Sequence, residues 1–159
     1  MNYYIGIDVG TGSARAGLFD QHGALAAMAT RAIQMWKPEV DYYEQSSDDI
    51  WKCICECAKQ VMQESGVAPA DVKGLGFDAT CSLVALDGDG HPVTVSPDGV
   101  DAQNVIVWMD HRALKETDEV NAFNTHAVFE YVGGKISPEM QTPKLLWLKR
   151  HMPESWQRT

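Results

Sequence analysis

The stretch Asp8-Val9-Gly10-Thr11-Gly12-Ser13, with Arg15 close behind, gathers a carboxylate, two glycines, two hydroxyls and a guanidinium. That set suits a bound phosphate. Glycine tolerates positive φ and presents no side chain, so successive backbone N–H groups can converge on phosphate oxygens as a nest. Thr11 and Ser13 can add hydroxyl donors and Arg15 a charge-assisted bond. Asp8 can hold Mg²⁺ directly or through water. The pattern is not a P-loop, which requires a lysine after its second glycine. Nor is it the dinucleotide fingerprint: Arg15 stands where the third glycine belongs, and the chain continues as a strand where that fingerprint opens a helix. A β-hairpin with glycines at its tip remains. The same residues also describe an ordinary tight turn with a solvated aspartate.

Two later segments deliver polar residues to strand ends, where ligand floors are often built. In Gly76-Phe77-Asp78-Ala79-Thr80-Cys81-Ser82, Thr80 and Ser82 can bind hydroxyls; a plain β-turn with Cys81 as a small buried residue is the other reading. In Val105-Ile106-Val107-Trp108-Met109-Asp110-His111-Arg112, an aromatic and a carboxylate follow a buried strand. They suit a polyol, the ring packing on C–H faces and the carboxylate accepting hydroxyls. Equally, Trp108 can be core and Asp110 can cap the next helix.

The surrounding pattern supplies the elements that must position these residues. Strands are expected over Tyr3 to Asp8, Ala14 to Asp20 and Ala24 to Ile33, with a turn at Asp20-Gln21-His22-Gly23. Ser46 and Asp49 have capping-box spacing. Ile50, Ile54, Cys57 and Val61 then recur at helical period as far as Gly66, a natural stop. Strands follow at Val72 to Phe77, Leu83 to Leu86 and Val105 to Trp108, with 92–104 as loop. The remainder reads as helical, broken at Gly133-Gly134, Pro138 and Pro143. Strands alternating with helices after three early strands predict an α/β domain with a mixed central sheet flanked by helices.

Composition narrows the partners. The chain has 159 residues, 45% hydrophobic and 22% charged, with net charge −9. An acidic surface repels nucleic acid and anionic membranes, and no apolar run is long enough to span a bilayer. Cys53, Cys55, Cys57 and Cys81 lack the spacing of a disulfide framework, which favours a reducing, cytoplasmic setting. On a helix Cys53 and Cys57 share a face and Cys55 points away, so the cluster is core and surface thiols, not a zinc site. Asp87-x-Asp89 resembles the start of an EF-hand loop, but Pro92 sits where glycine is required, leaving a hairpin turn.

Taken in order, these segments resemble the FGGY carbohydrate kinase family of the actin-like ATPase (ribonuclease H-like) superfamily. The hairpin is similar to that family's first phosphate motif and Trp108-x-Asp110-x-Arg112 to its sugar motif. Thr142-Pro143-Lys144-Leu145-Leu146-Trp147-Leu148 is similar to its helix start after the sugar loop. Within the family the wording of 76–84, 110–113 and 131–141 is closest to the D-ribulokinase branch. The Ala79-Thr80-Cys81-Ser82 segment argues against glycerol and leaves D-xylulose second.

The resemblance implies an enzyme that uses Mg-ATP to phosphorylate a terminal hydroxyl of a pentulose. It places Asp8 on the metal, and Gly10, Thr11, Gly12, Ser13 and Arg15 on phosphates. It places Asp78, Ala79, Thr80, Cys81, Ser82, Trp108, Asp110 and the weaker candidate Glu139 on the sugar. The family's catalytic base, in a glycine-rich Gly-x-x-Asp-Ala segment, is not in this sequence. Residues 1–159 are therefore expected to be the N-terminal part of the N-terminal lobe, inactive alone, with the C-terminal lobe outside the chain. A homodimer is allowed. The alternative of another class is a non-catalytic actin-like module that binds a nucleotide or a partner.

Overall fold

The computed structural model describes residues 1–123 and 125–159, which gather into two compact units.

The first unit comprises residues 1–34 and 48–80. Strands β1 (Tyr3–Val9), β2 (Ser13–Asp20) and β3 (Leu25–Ala32) form an antiparallel meander. Helix α1 (Ser47–Ser65) then begins, at the foreseen cap to within a residue. It provides the long crossover that a parallel neighbour requires. A 3₁₀ turn at Pro69–Asp71 follows, and the strand that pairs parallel with β1, over Val72–Ala79, is numbered β5 below. The sheet order is β3-β2-β1-β5.

Alternation along β1 and β2 puts Ile5, Ile7, Val9, Ala14, Ala16 and Leu18 on one buried face. Against it α1 lays Cys53, Ile54, Cys57 and Val61. Alanines at the contact allow close packing of helix on sheet. Burial raises the thiol pKa of Cys53 and Cys57, and Cys55 lies outside that buried set. Gly66 ends the helix at φ 65°, the left-handed cap its position predicts.

The second unit comprises residues 35–47 and 81–159. Strand β4 (Glu44–Gln45) precedes α1 in the chain, while β6 (Leu83–Val84) and β7 (Val105–Ile106) follow β5. They pair antiparallel in the order β4-β7-β6. Helices α2 (Leu114–Ala122), α3 (Val128–Tyr131), α4 (Gln141–His151) and α5 (Pro153–Arg158) complete the unit. Ala85, Val93, Val95, Ile106, Ala113, Trp147 and Leu148 make its core.

Two expectations are corrected. Both later strands are shorter than 83–86 and 105–108, although Leu86 still bridges Pro92. The 92–104 segment is a loop, as expected, and it packs inward: Val93 and Val95 are fully buried. Pro143 does not break the last long helix. It sits in the first turn of α4, where a missing N–H leaves no intrahelical bond unmade. The break at Gly133-Gly134 stands, both with positive φ.

Candidate functional site

Residues from the sequence assignments occur in both units. In the first, the β1/β2 register places Asp8 opposite Arg15, and the β1/β5 register places Asp78 beside Asp8. Residues so paired share a face of the sheet. Arg15 Nη1 donates to Asp8 Oδ2 at 2.6 Å, and both side chains are about half exposed. Thr80 continues the ladder, its N–H donating to the Val9 carbonyl at 3.0 Å. Ala79 ends β5 with its side chain exposed.

At the hairpin tip the expected mechanism for the glycines is corrected. Neither Gly10 nor Gly12 has positive φ, and the Gly10 N–H closes the turn on the Ser13 carbonyl at 3.0 Å. A nest of successive amides therefore does not include Gly10. What the glycines supply is room: a Cβ on Gly12 would meet nothing within 4 Å, and one on Gly10 only ordinary contacts. Gly12→Ala is accordingly expected to leave thermal stability within about 0.5 kcal/mol. With the tip on a nucleotide phosphate, as the resemblance implies, the added methyl is expected to weaken nucleotide binding. Paired melting curves and nucleotide titrations check this; a parallel loss of both would show that the glycine is structural.

In the second unit a cavity of about 560 Å³ is lined by Cys81, Ser82, Leu83, Val84, Glu139, Met140, Gln141 and Lys144. It brings together three of the sugar candidates, Cys81, Ser82 and Glu139. Trp108 is tied to its wall through the backbone, its N–H donating to Ser82 Oγ at 3.2 Å. His111 Nε2 lies 3.4 Å from Glu139 Oε1.

Asp110 is placed differently from the expectation, and its role as a direct acceptor of sugar hydroxyls is corrected. The residue is fully buried. Its carboxylate accepts from the Arg112 guanidinium at 2.8–3.0 Å and from the Tyr43 N–H at 2.6 Å. It shapes the turn that carries Trp108 and presents no face to solvent.

Sequence reasoning missed the partners that hold this turn. Arg112, 8% exposed overall with a fully buried side chain, also bonds Glu44 Oε1 at 2.9 Å and the Val95 carbonyl at 2.8 Å. It lies over the rings of Tyr42 and Trp147 at 4.2 and 4.9 Å. Burial raises the pKa of Glu44, against the pull of Arg112. No local pattern marks Glu44, which sits in a polar run without periodicity. Lys144 had a signal, its place in the 142–148 motif, but nothing there foretold that it would be buried.

Residues 3–159 match the N-terminal domain of the FGGY family of carbohydrate kinases. The chain belongs to that family. A human FGGY carbohydrate kinase domain-containing protein is 51% identical over 96% of this chain and 27% of its own length. A D-ribulokinase from Saccharomyces cerevisiae is 45% identical over 94% of this chain and 21% of its own. The FGGY chain described here thus spans about a quarter of the length of these relatives.

Among solved structures, a ligand-bound xylulose kinase from Lactobacillus acidophilus superposes with TM-score 0.84 at 21% identity, over all of this chain and 30% of that one. A gluconate kinase from the same organism gives 0.83 at 22% identity, over 99% and 30%. These likenesses establish the fold, the α/β actin-like ATPase architecture with a mixed sheet and flanking helices. Two different substrates in their names show that this fold does not by itself select a sugar. None of the described helices is long and apolar enough to cross a membrane.

Proposed function

We propose that this FGGY chain is the N-terminal part of the N-terminal lobe of an ATP-dependent sugar kinase. The enzyme would transfer the γ-phosphoryl group to a terminal hydroxyl of a pentulose, D-ribulose before D-xylulose. The observation that carries the reading is the Asp8–Arg15 pair at the glycine tip, half exposed and two residues from the turn on either side. Each member has a natural exchange partner in Mg-ATP: a hard cation for the carboxylate, a phosphate oxygen for the guanidinium. The donor set fits Mg²⁺, because Asp78 adds a second carboxylate on the same face beside Asp8 and Mg²⁺ is held by one or two carboxylates plus phosphates and water.

Mg²⁺ would neutralise charge on the transferring phosphoryl group, the main demand of this reaction. The chain's own residues do the positioning. Asp8 and Asp78 hold the cation, and Arg15, Thr11 and Ser13 orient phosphate oxygens over a tip that Gly10 and Gly12 leave clear. Cys81, Ser82, Glu139 and Trp108 bind the sugar. Asp110 and Arg112 fix the turn that carries Trp108. The preference for D-ribulose rests on the 45% identity to the yeast D-ribulokinase and on the 76–82 segment. Similarity to a Geobacillus thermodenitrificans ribulokinase at 30% supports a pentulose substrate.

The test is a coupled ADP-release assay on the intact protein with a panel of ketopentoses and glycerol. D-Ribulose should have the highest kcat/KM, and the 159-residue chain alone should show no turnover. Preference for another sugar would overturn the substrate assignment. Nucleotide binding without turnover of any sugar by the intact protein would favour a non-catalytic module.

A further inference from the structure

Lys144 is the largest fully buried side chain among the described residues, 1% exposed, and it occupies the first turn of α4. A cation there is unfavourable twice over, since it is desolvated and stands at the positive end of the helix dipole. Its environment explains how it is held. Nζ donates to the carbonyls of Val107 at 2.9 Å, Trp108 at 2.8 Å and Glu139 at 3.2 Å. Three bonds use all three donors of an ammonium.

Of these residues Glu139 lines the 560 Å³ cavity, as does Lys144 itself, while Val107 and Trp108 stand behind the lining. Trp108 passes the constraint on through its N–H to Ser82 Oγ. The third carbonyl is that of Glu139, and Glu139, Met140 and Gln141 all line the cavity.

We propose that Lys144 is a positioning residue of the sugar pocket, a three-way clamp that holds Ser82, through Trp108, in place relative to Glu139. The proposal rests on the sugar-kinase reading above. A neutral amine has one donor fewer and loses charge assistance at the others, so the clamp loosens when the ammonium is deprotonated. Its pKa is lowered to about 8, chiefly by burial and further by Arg112, while Asp110, Cys81 and Glu139 oppose the shift.

The sign separates positioning from general stability. The unfolded chain keeps the lysine proton up to about 10.5 and the folded chain releases it near 8. Between those values unfolding takes up a proton, so this group's contribution to stability rises with pH. Sugar affinity should move the opposite way.

The experiment follows three readouts. In ¹H–¹⁵N spectra of the chain, the amides of Trp108, Met109 and Met140, each next to a clamped carbonyl, should shift together with a midpoint near pH 8. This shared titration should vanish in Lys144→Met. D-Ribulose affinity of the intact wild-type protein should weaken above that midpoint while Mg-ATP affinity stays flat. Lys144→Met should weaken D-ribulose binding about tenfold, the worth of a lost charge-assisted bond, with Mg-ATP binding unchanged.

Independent titration of the three amides, equal sugar affinity in Lys144→Met, or a flat pH profile of sugar binding would each overturn the clamp. If the variant does not fold, the two wild-type readouts decide. Failure of the wild-type protein to bind any ketopentose at any pH would remove the sugar reading itself, and the proposal with it. Sugar binding indifferent to Lys144 would remove the proposal alone.

Discussion

Arg112→Met is expected to destabilise the protein by about 3–5 kcal/mol, the cost of breaking a buried ion cluster by removing one partner. The arrangement admits no cheap relaxation. The Arg112 and Glu44 side chains are fully buried, as is Asp110, so methionine would leave two carboxylates around an apolar side chain. Glu44 Oε2 already lacks a hydrogen-bond partner among the described residues, and burial already raises the pKa of that carboxyl.

Arg112→Lys should recover little. An ammonium cannot serve Asp110, Glu44 and the Val95 carbonyl from one plane, nor lie flat over Tyr42 and Trp147 as the guanidinium does. Adding Glu44→Gln to Arg112→Met should restore part of the loss, since it removes one of the two stranded charges. Urea unfolding of the three variants measures these differences. A loss below about 1 kcal/mol, the worth of an exposed ion pair, would show that water reaches the cluster and that Asp110 is open to ligands after all.

What was legible in the sequence was what local periodicity dictates. Ile54, Cys57 and Val61 point into the first core because a 3.6-residue period determines a face before any partner is known. The hairpin was legible for a related reason. Once the strands on either side of Gly10 and Gly12 are recognised, antiparallel pairing brings Asp8 and Arg15 opposite one another.

What was not legible depends on long-range pairing. β4 consists of two buried polar residues that become a strand only by pairing with Val105 and Ile106, some sixty positions away. The strand through Trp108 ends early because Tyr43, Lys144 and Ser82 take its outer polar groups. Lys144, Arg112 and Glu44 run against the expectation that charged side chains stay exposed. Each is buried only because others of opposite charge or free carbonyls arrive from distant segments. The misreading of Asp110 has the same origin: a carboxylate after a buried strand looks alike in sequence whether it meets solvent or an arginine.

On the proposed kinase reading, Asp8→Asn in the intact protein is expected to lower kcat by about 10²–10³-fold, as when one preorganised charge stabiliser is removed, with D-ribulose affinity nearly unchanged. The substitution keeps size and shape and removes the negative charge, so its effect reports on what that charge holds. Folding should be insensitive. Asp8 and Arg15 are each about half exposed, and such pairs contribute about 0–1 kcal/mol.

The rival account is that Asp8 merely holds Arg15 in place for a phosphate. Arg15→Ala separates the two. If Asp8 acts only through Arg15, both variants lose activity alike and keep the same dependence on divalent metal. If Asp8 holds the cation, Asp8→Asn alone should raise the Mg²⁺ concentration needed for half-maximal rate. It should also weaken Mn²⁺ binding read by electron paramagnetic resonance, while Arg15→Ala raises the KM for ATP. Asp78→Asn adds a graded arm, because its carboxylate stands beside Asp8 on the parallel strand: a partial loss of Mn²⁺ affinity places it at the metal, and an unchanged value returns it to the sugar. Full activity of Asp8→Asn would remove the carboxylate from the metal site and leave the glycine tip as an ordinary turn.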